Sequence, residues 1–143
     1  MTRSVLILLA LAATAAACSS GNNTSTLAST TTAPSATLVT DTFTGTVPVG
    51  GSDVHTFVVA QTGTLSVTLT AAAPPPTIFM GLGVGTLSGS TCVFLSGGTT
   101  NVQAGANPQL TASSFAAGTY CVSVYDIGNQ ASPVTHSVTV VHS

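Results

Sequence analysis

Hydrophobic and polar residues alternate through most of the chain beyond its first 40 residues. This alternation is typical of β-strands that bury one face. After a turn signal at Gly118, Tyr120, Val122 and Val124 fall on one face. The opposite face has Thr119, Cys121, Ser123 and Tyr125. Tyrosine and valine are both favoured in strands. This segment therefore predicts a half-buried strand directly after Gly118.

Similar segments, separated by turns rich in glycine and proline, recur along the rest of the chain. Strands are predicted at 42–47, 54–60, 64–70, 78–84, 92–95 and 109–112, with a last one through His136, Val138 and Val140. Residues 71–76 are predicted to be a loop, because three consecutive prolines cannot donate to a sheet ladder. A longer polar loop is predicted at 97–108. About eight short strands and no helical period predict an all-β fold, an antiparallel β-sandwich that is jelly-roll-like.

The beginning of the chain has a different character. Arg3 precedes an apolar run at 5–13 that is too short to span a membrane. Small residues then lead to Cys18, a pattern that resembles the lipobox of bacterial lipoproteins. We predict a lipoprotein signal peptide at 1–17 and lipidation at Cys18; the alternative is ordinary secretory cleavage nearby. Residues 18–40 predict a Ser/Thr-rich tether, and 41–143 the β-sandwich domain.

Cysteine usage agrees with export and anchoring. The three cysteines are Cys18, Cys92 and Cys121, and an odd number in an exported protein needs an explanation. If Cys18 carries lipid, Cys92 and Cys121 remain as a pair in an oxidising compartment, which predicts a disulfide bond. Both lie on the parity opposite to the core residues of their segments, so the bond is expected on the outer face of a sheet. Zinc binding by these two cysteines is the weaker alternative, because neither belongs to a CxxC pair.

The charge of the chain excludes some partners. Its only Lys or Arg residue is Arg3, and its three acidic residues are Asp41, Asp53 and Asp126. Binding to nucleic acid needs clustered cations, so we expect no nucleic-acid partner. Contact with a membrane is expected through the lipid anchor alone, in the bacterial cell envelope after export across the inner membrane.

Several segments of 41–143 resemble the bacterial pre-peptidase C-terminal domain, a β-sandwich often appended to secreted proteases. The resemblance rests on 43–45 (Phe-Thr-Gly), 53–59 (Asp-Val-His-Thr-Phe-Val-Val), 62–67, 117–124 (which contains Ala-Gly-Thr-Tyr) and 137–140. It implies a β-sandwich binding module. His55 and His136 depart from the pattern, since the family tends to carry aromatic residues there. No peptidase domain accompanies the module in this sequence.

Candidate chemistry is limited to two histidines. His55 and His136 both lie on the inward parity of their strands, and the simplest interpretation is two hydrogen-bonded core or rim histidines. The alternative is a metal or proton-transfer pair, for which Asp41, Asp53, Asp126 or His142 would supply a third ligand. We expect no cofactor, and His55 and His136 are the weak candidates for binding a metal.

Other catalytic patterns are missing from the sequence. It has no Gly-x-Ser-x-Gly elbow, and its three aspartates are expected at strand ends or turns, in backbone hydrogen bonds. The Gly-x-Gly-x-Gly run at 81–85 indicates close packing rather than a phosphate loop. We therefore predict a non-catalytic binding or structural module whose partner is an envelope protein or polysaccharide. The alternatives are an accessory subunit that docks on a secreted hydrolase and a small metal-dependent hydrolase.

Overall fold

The computed structural model describes residues 37–143. The predicted signal peptide, Cys18 and most of the predicted tether lie outside the described residues. Within them the chain forms eight β-strands. These are β1 Val39–Val47, β2 Ser52–Val59, β3 Gly63–Ala73, β4 Met80–Ser88, β5 Thr91–Val102, β6 Leu110–Phe115, β7 Gly118–Tyr125 and β8 Val134–His142. Among residues 37–143 no helix is long and apolar enough to cross a membrane.

The strands form two four-stranded antiparallel sheets. The first sheet has the order β1-β8-β3-β6 and the second the order β2-β7-β4-β5. Strands adjacent in sequence mostly lie in different sheets, which is the strand order of a jelly roll. The prediction of an antiparallel, jelly-roll-like β-sandwich is therefore confirmed.

The core lies between the sheets and is built by the alternation seen in the sequence. In β3, Leu65, Val67 and Leu69 point inward and are buried, as predicted. In β7, Val122 and Val124 do the same from the opposite sheet. Seventeen buried apolar residues form one cluster. Hydrophobic burial at these positions stabilises the two sheets against each other.

Two strands, β3 and β5, extend into segments predicted as loops, so the predicted loops at 71–76 and 97–108 are partly wrong. β3 continues to Ala73 because a register shift between Leu69 and Ala71 lets it pair further with β8. β5 continues to Val102 because a similar shift in β4 lets Thr99 pair with Gly83. β5 is an edge strand, where polar residues are expected on the side facing solvent. β1 begins at Val39, within the segment predicted as tether.

Candidate functional site

His55 and His136 meet at the edge of the sandwich between β1 and β2, and Asp53 joins them. The Nε2 atom of His136 lies 2.9 Å from Oδ2 of Asp53, and the Nε2 atom of His55 lies 3.2 Å from the same oxygen. A carboxylate oxygen accepts hydrogen bonds, so each imidazole donates its Nε2–H to Asp53. We call these three residues the His–Asp cluster.

Strand geometry explains why these residues meet. Asp53 and His55 are two positions apart on β2, so both point inward from the second sheet. His136 points inward from β8 in the first sheet, directly opposite Gly45 of β1. A Cβ atom at Gly45 would overlap the carboxylate of Asp53. Glycine at this position is therefore required for the cluster to form.

Burial sets the electrostatics of the cluster. The side chain of His136 is fully buried, whereas those of His55 and Asp53 are 23% and 25% exposed. Burial lowers the pKa of His136 below its usual 6.5, although the hydrogen bond and charge of Asp53 oppose this shift. His136 is therefore neutral at neutral pH. Its Nδ1 atom is buried and has no hydrogen-bond partner among the described residues.

The other acidic residues lie elsewhere. His142 contacts Oδ2 of Asp41 through Nε2 at 3.0 Å, forming a separate pair. Asp126 lies in the turn after β7, where it accepts backbone hydrogen bonds as expected. That expectation was wrong for the other two: Asp41 and Asp53 lie near the starts of β1 and β2, but their carboxylates accept hydrogen bonds from imidazoles. Of the four suggested third ligands, only Asp53 joins His55 and His136.

A second site lies on the outer face of the second sheet. There the glycines of β4 are covered by aromatic rings: a Cβ at Gly81 would overlap the ring of Tyr125, and one at Gly83 would overlap Phe94. The two rings are stacked with their centroids 5.4 Å apart. Phe94 remains 38% exposed. The glycine run thus provides close packing, as the sequence indicated, and it leaves room for both rings against the sheet.

The rings border a cleft of about 370 Å³, which we call the aromatic cleft. Hydroxyl groups line much of it, from Ser52, Ser90, Thr91 and Ser123. Sequence reasoning missed this site, because Phe94 and Tyr125 come from strands that are not adjacent. The glycine run was the available signal, since small residues in a strand often mark a place where another group approaches closely.

The predicted disulfide bond borders the same cleft. Cys92 of β5 is bonded to Cys121 of β7, and their Cα atoms are 5.8 Å apart. Cys121 alternates with the core residues Val122 and Val124, so the bond lies on the outer face of the sheet. The pairing was predicted from the cysteine count and the face from parity. The bond ties the β4–β5 hairpin to β7 beside the cleft.

Comparison with protein families gives a match over most of the β-sandwich. Residues 54–143 match the family model described as Pertactin. The chain belongs to the Pertactin family. The Pertactin match begins within β2, so it includes His55 and His136 but starts one residue after Asp53. It also includes both rings of the aromatic cleft. The resemblance to the pre-peptidase C-terminal domain stays a prediction beside this match.

The chain was also compared with curated proteins and with solved structures. No curated protein matches the chain. Among solved structures, the chain is similar to the crystal structure of Aeromonas hydrophila PliG, a periplasmic lysozyme inhibitor of g-type lysozyme. The identity is 15% and the TM-score is 0.43, over 71% of this chain and 83% of that chain.

Proposed function

We propose that the protein is a non-catalytic binding module of the bacterial cell envelope and that its ligand is a neutral glycan held in the aromatic cleft. The observation that carries this proposal is the stacked pair of aromatic rings that occupy the space beside Gly81 and Gly83 and border the hydroxyl-lined cleft. Each ring takes the space that a side chain at the glycine would fill, and Phe94 is partly exposed to solvent. A flat aromatic surface beside polar groups suits a ligand with one apolar face and many hydroxyls.

Sugar rings have these properties. Their axial C–H bonds form a weakly positive apolar face, which is attracted to the negative face of an aromatic ring. Their hydroxyls need hydrogen-bond partners when they leave water. The aromatic cleft offers both, with Phe94 and Tyr125 for stacking and Ser52, Ser90 and Thr91 for hydrogen bonds. A few polar groups placed around an apolar surface are typical of small-ligand sites.

The charge of the cleft favours a neutral ligand. Asp126 is the only charged residue in its lining. One of its carboxylate oxygens accepts a hydrogen bond from the backbone N–H of Gly50, and the other accepts from those of Gly128, Asn129 and Gln130. Asp126 therefore connects the two turns that carry these N–H groups, at the wall of the cleft. With no cation present in the lining, an acidic polymer would gain no ion pair there.

Export and anchoring belong to the same proposal. The Cys92–Cys121 bond suits an oxidising compartment and leaves Cys18 as the unpaired cysteine of an odd set. The predicted signal peptide, lipidation at Cys18 and the tether at 18–40 would hold the cleft near the envelope surface. A partner protein such as a secreted hydrolase is the alternative that the experiment below distinguishes.

The test is retention of the full chain on an array of neutral and acidic bacterial polysaccharides. We expect binding to neutral glycans, and we expect Phe94→Ala to weaken it about tenfold, or about 1.4 kcal/mol. Phe79→Ala is the matched control, because Phe79 is also exposed (48%) but lies outside the cleft lining. Its affinity is expected to equal that of the wild type.

Three results would contradict the proposal. The first is no retention on any glycan, and the second is equal retention of the wild type and Phe94→Ala. The third is cleavage of the bound glycan, which would make the protein an enzyme. Recovery of a secreted hydrolase, with no glycan bound, would favour the accessory-subunit alternative.

A further inference from the structure

We propose that the His–Asp cluster binds a divalent transition-metal ion of the Zn²⁺ type through Oδ2 of Asp53 and Nε2 of His55 and His136. The three donor atoms all lie within 4.8 Å of one another. This inference does not depend on the proposed function. The cluster points into the edge of the sandwich between the sheets, whereas the aromatic cleft lies on an outer face.

The donor types select the class of metal. Two imidazole nitrogens and one carboxylate oxygen suit Zn²⁺ and similar borderline ions. Ca²⁺ and Mg²⁺ prefer shells of oxygen atoms, and two of the three donors here are nitrogen. Zinc sites with three protein ligands complete their coordination with water. The partial exposure of Asp53 and His55 leaves access for that water.

The distances are close to those of a coordination sphere. Donors about 2.0–2.1 Å from a tetrahedral ion are about 3.3–3.4 Å from one another. Oδ2 of Asp53 lies 2.9 Å from His136 and 3.2 Å from His55. Side-chain rotations would therefore admit an ion if they move Oδ2 of Asp53 a few tenths of an ångström away from each imidazole and place the two Nε2 atoms, which lie within 4.8 Å of each other, about 3.3–3.4 Å apart. His55 is also held by stacking on Phe43, with ring centroids 4.9 Å apart.

The arrangement is costly for a purely structural role. A buried polar atom without a partner costs free energy, and Nδ1 of His136 is such an atom. An apolar side chain would fill this position without that cost. Among residues 37–143 Asp53 has no Lys or Arg partner, because the only such residue in the sequence is Arg3. A bound cation would balance the carboxylate and make full use of both Nε2 atoms.

The position of the cluster predicts what the ion does. Asp53 and His55 belong to β2 in the second sheet, and His136 belongs to β8 in the first sheet. An ion bound by all three would therefore link the two sheets at the edge where β1 and β2 meet. Because this link exists only in the folded state, metal binding would stabilise the fold.

The experiment uses the full chain, purified in detergent, treated with chelator and titrated with ZnCl₂ by calorimetry. We expect one ion per chain and a rise in Tm of roughly 10 °C at zinc concentrations far above the Kd. His55→Ala and Asp53→Asn are expected to weaken binding at least tenfold, because even the loss of an outer hydrogen-bond partner costs a zinc site about 10–100-fold. Co²⁺ in place of Zn²⁺ is expected to give the visible absorption of a tetrahedral nitrogen and oxygen site.

His142→Gln is the matched control, because His142 is also a buried histidine paired with an aspartate. It is expected to retain the affinity for zinc. His55 is partly exposed, so His55→Ala keeps the test decisive even if variants of the buried His136 do not fold. The proposal is overturned if the wild type binds no zinc at a one-to-one ratio. It is also overturned if His55→Ala binds as tightly as the wild type, or if only His142→Gln loses binding.

Discussion

Asp126 organises the turn after β7 with a single side chain. Its Oδ2 accepts a hydrogen bond from the N–H of Gly50 at 2.7 Å, and its Oδ1 accepts from Gly128 at 2.8 Å and from Asn129 at 3.1 Å. The hydrogen bond from Gly50 is the main cause that lowers the pKa of Asp126 below its usual 3.8, because it favours the ionised form. One carboxylate thus joins the β1–β2 turn to the β7–β8 turn.

We expect the contribution of Asp126 to stability to depend on pH. Its pKa is lower in the folded state, so the stabilisation is fully present above the unfolded pKa and is lost as the pH falls through the folded pKa. Asp126→Asn is therefore expected to be less stable than the wild type at neutral pH, and the difference is expected to shrink at a pH well below 3.8. Urea unfolding at both pH values measures this. An equal difference at the two pH values would contradict the argument.

The β4–β5 hairpin is the element that depends most on the disulfide bond. β5 lies at the edge of the second sheet and pairs only with β4. The register shift between Gly83 and Gly85 interrupts this pairing near the middle of the hairpin. The Cys92–Cys121 bond ties β5 directly to β7, across β4, which lies between them. It therefore supplies a connection that the backbone ladder does not.

Removal of this bond is expected to destabilise the protein strongly. The two cysteines are 29 residues apart, and closing a loop of this length contributes about 3–4 kcal/mol in the chain-entropy model. The double variant Cys92→Ala/Cys121→Ala is expected to lose about this much free energy of unfolding in urea. Cys18→Ala is the control that changes a cysteine but keeps the bond. If the double variant were as stable as the control, the hairpin would not need the disulfide.

At the scale of the whole molecule, the most unusual property is the scarcity of charge. The chain has one Lys or Arg residue and three Asp or Glu residues. All three carboxylates take part in side-chain hydrogen bonds: Asp41 with His142, Asp53 with the other two histidines, and Asp126 with backbone N–H groups. Attraction to anionic lipids would need basic residues near the membrane. Stable attachment to a membrane would therefore depend on covalent lipid.

We expect this lipid at Cys18. In the bacterial host, labelled fatty acid is expected to be incorporated into the wild type and not into Cys18→Ala. The variant is also expected to leave the membrane fraction, because the anchor is lost while the β-sandwich remains folded. Equal labelling of the two proteins, or none in either, would contradict lipidation at Cys18.

The sequence by itself determined the fold class, because apolar and polar residues alternate within each strand segment and so mark the face that is buried. Leu65, Val67 and Leu69 point inward as their pattern predicts. Parity also placed Cys92 and Cys121 on an outer face, and cysteine counting paired them. Parity likewise predicted that His55 and His136 point inward, although it left four candidates for the third residue that joins them.

Only the tertiary structure decided that Asp53 is the residue that joins His55 and His136, and only the tertiary structure revealed the aromatic cleft. Asp53 and His136 are 83 residues apart, and Asp41 and His142 are 101 apart, so the pairing of each aspartate depends on strand order rather than on local pattern. The same is true of Phe94 and Tyr125, which meet over the glycines of a third strand. Strand lengths were decided in the same way, since register shifts let polar residues of β5 pair with β4. Periodicity describes which way a side chain faces, whereas its neighbours are chosen by the packing of strands that are distant in the chain.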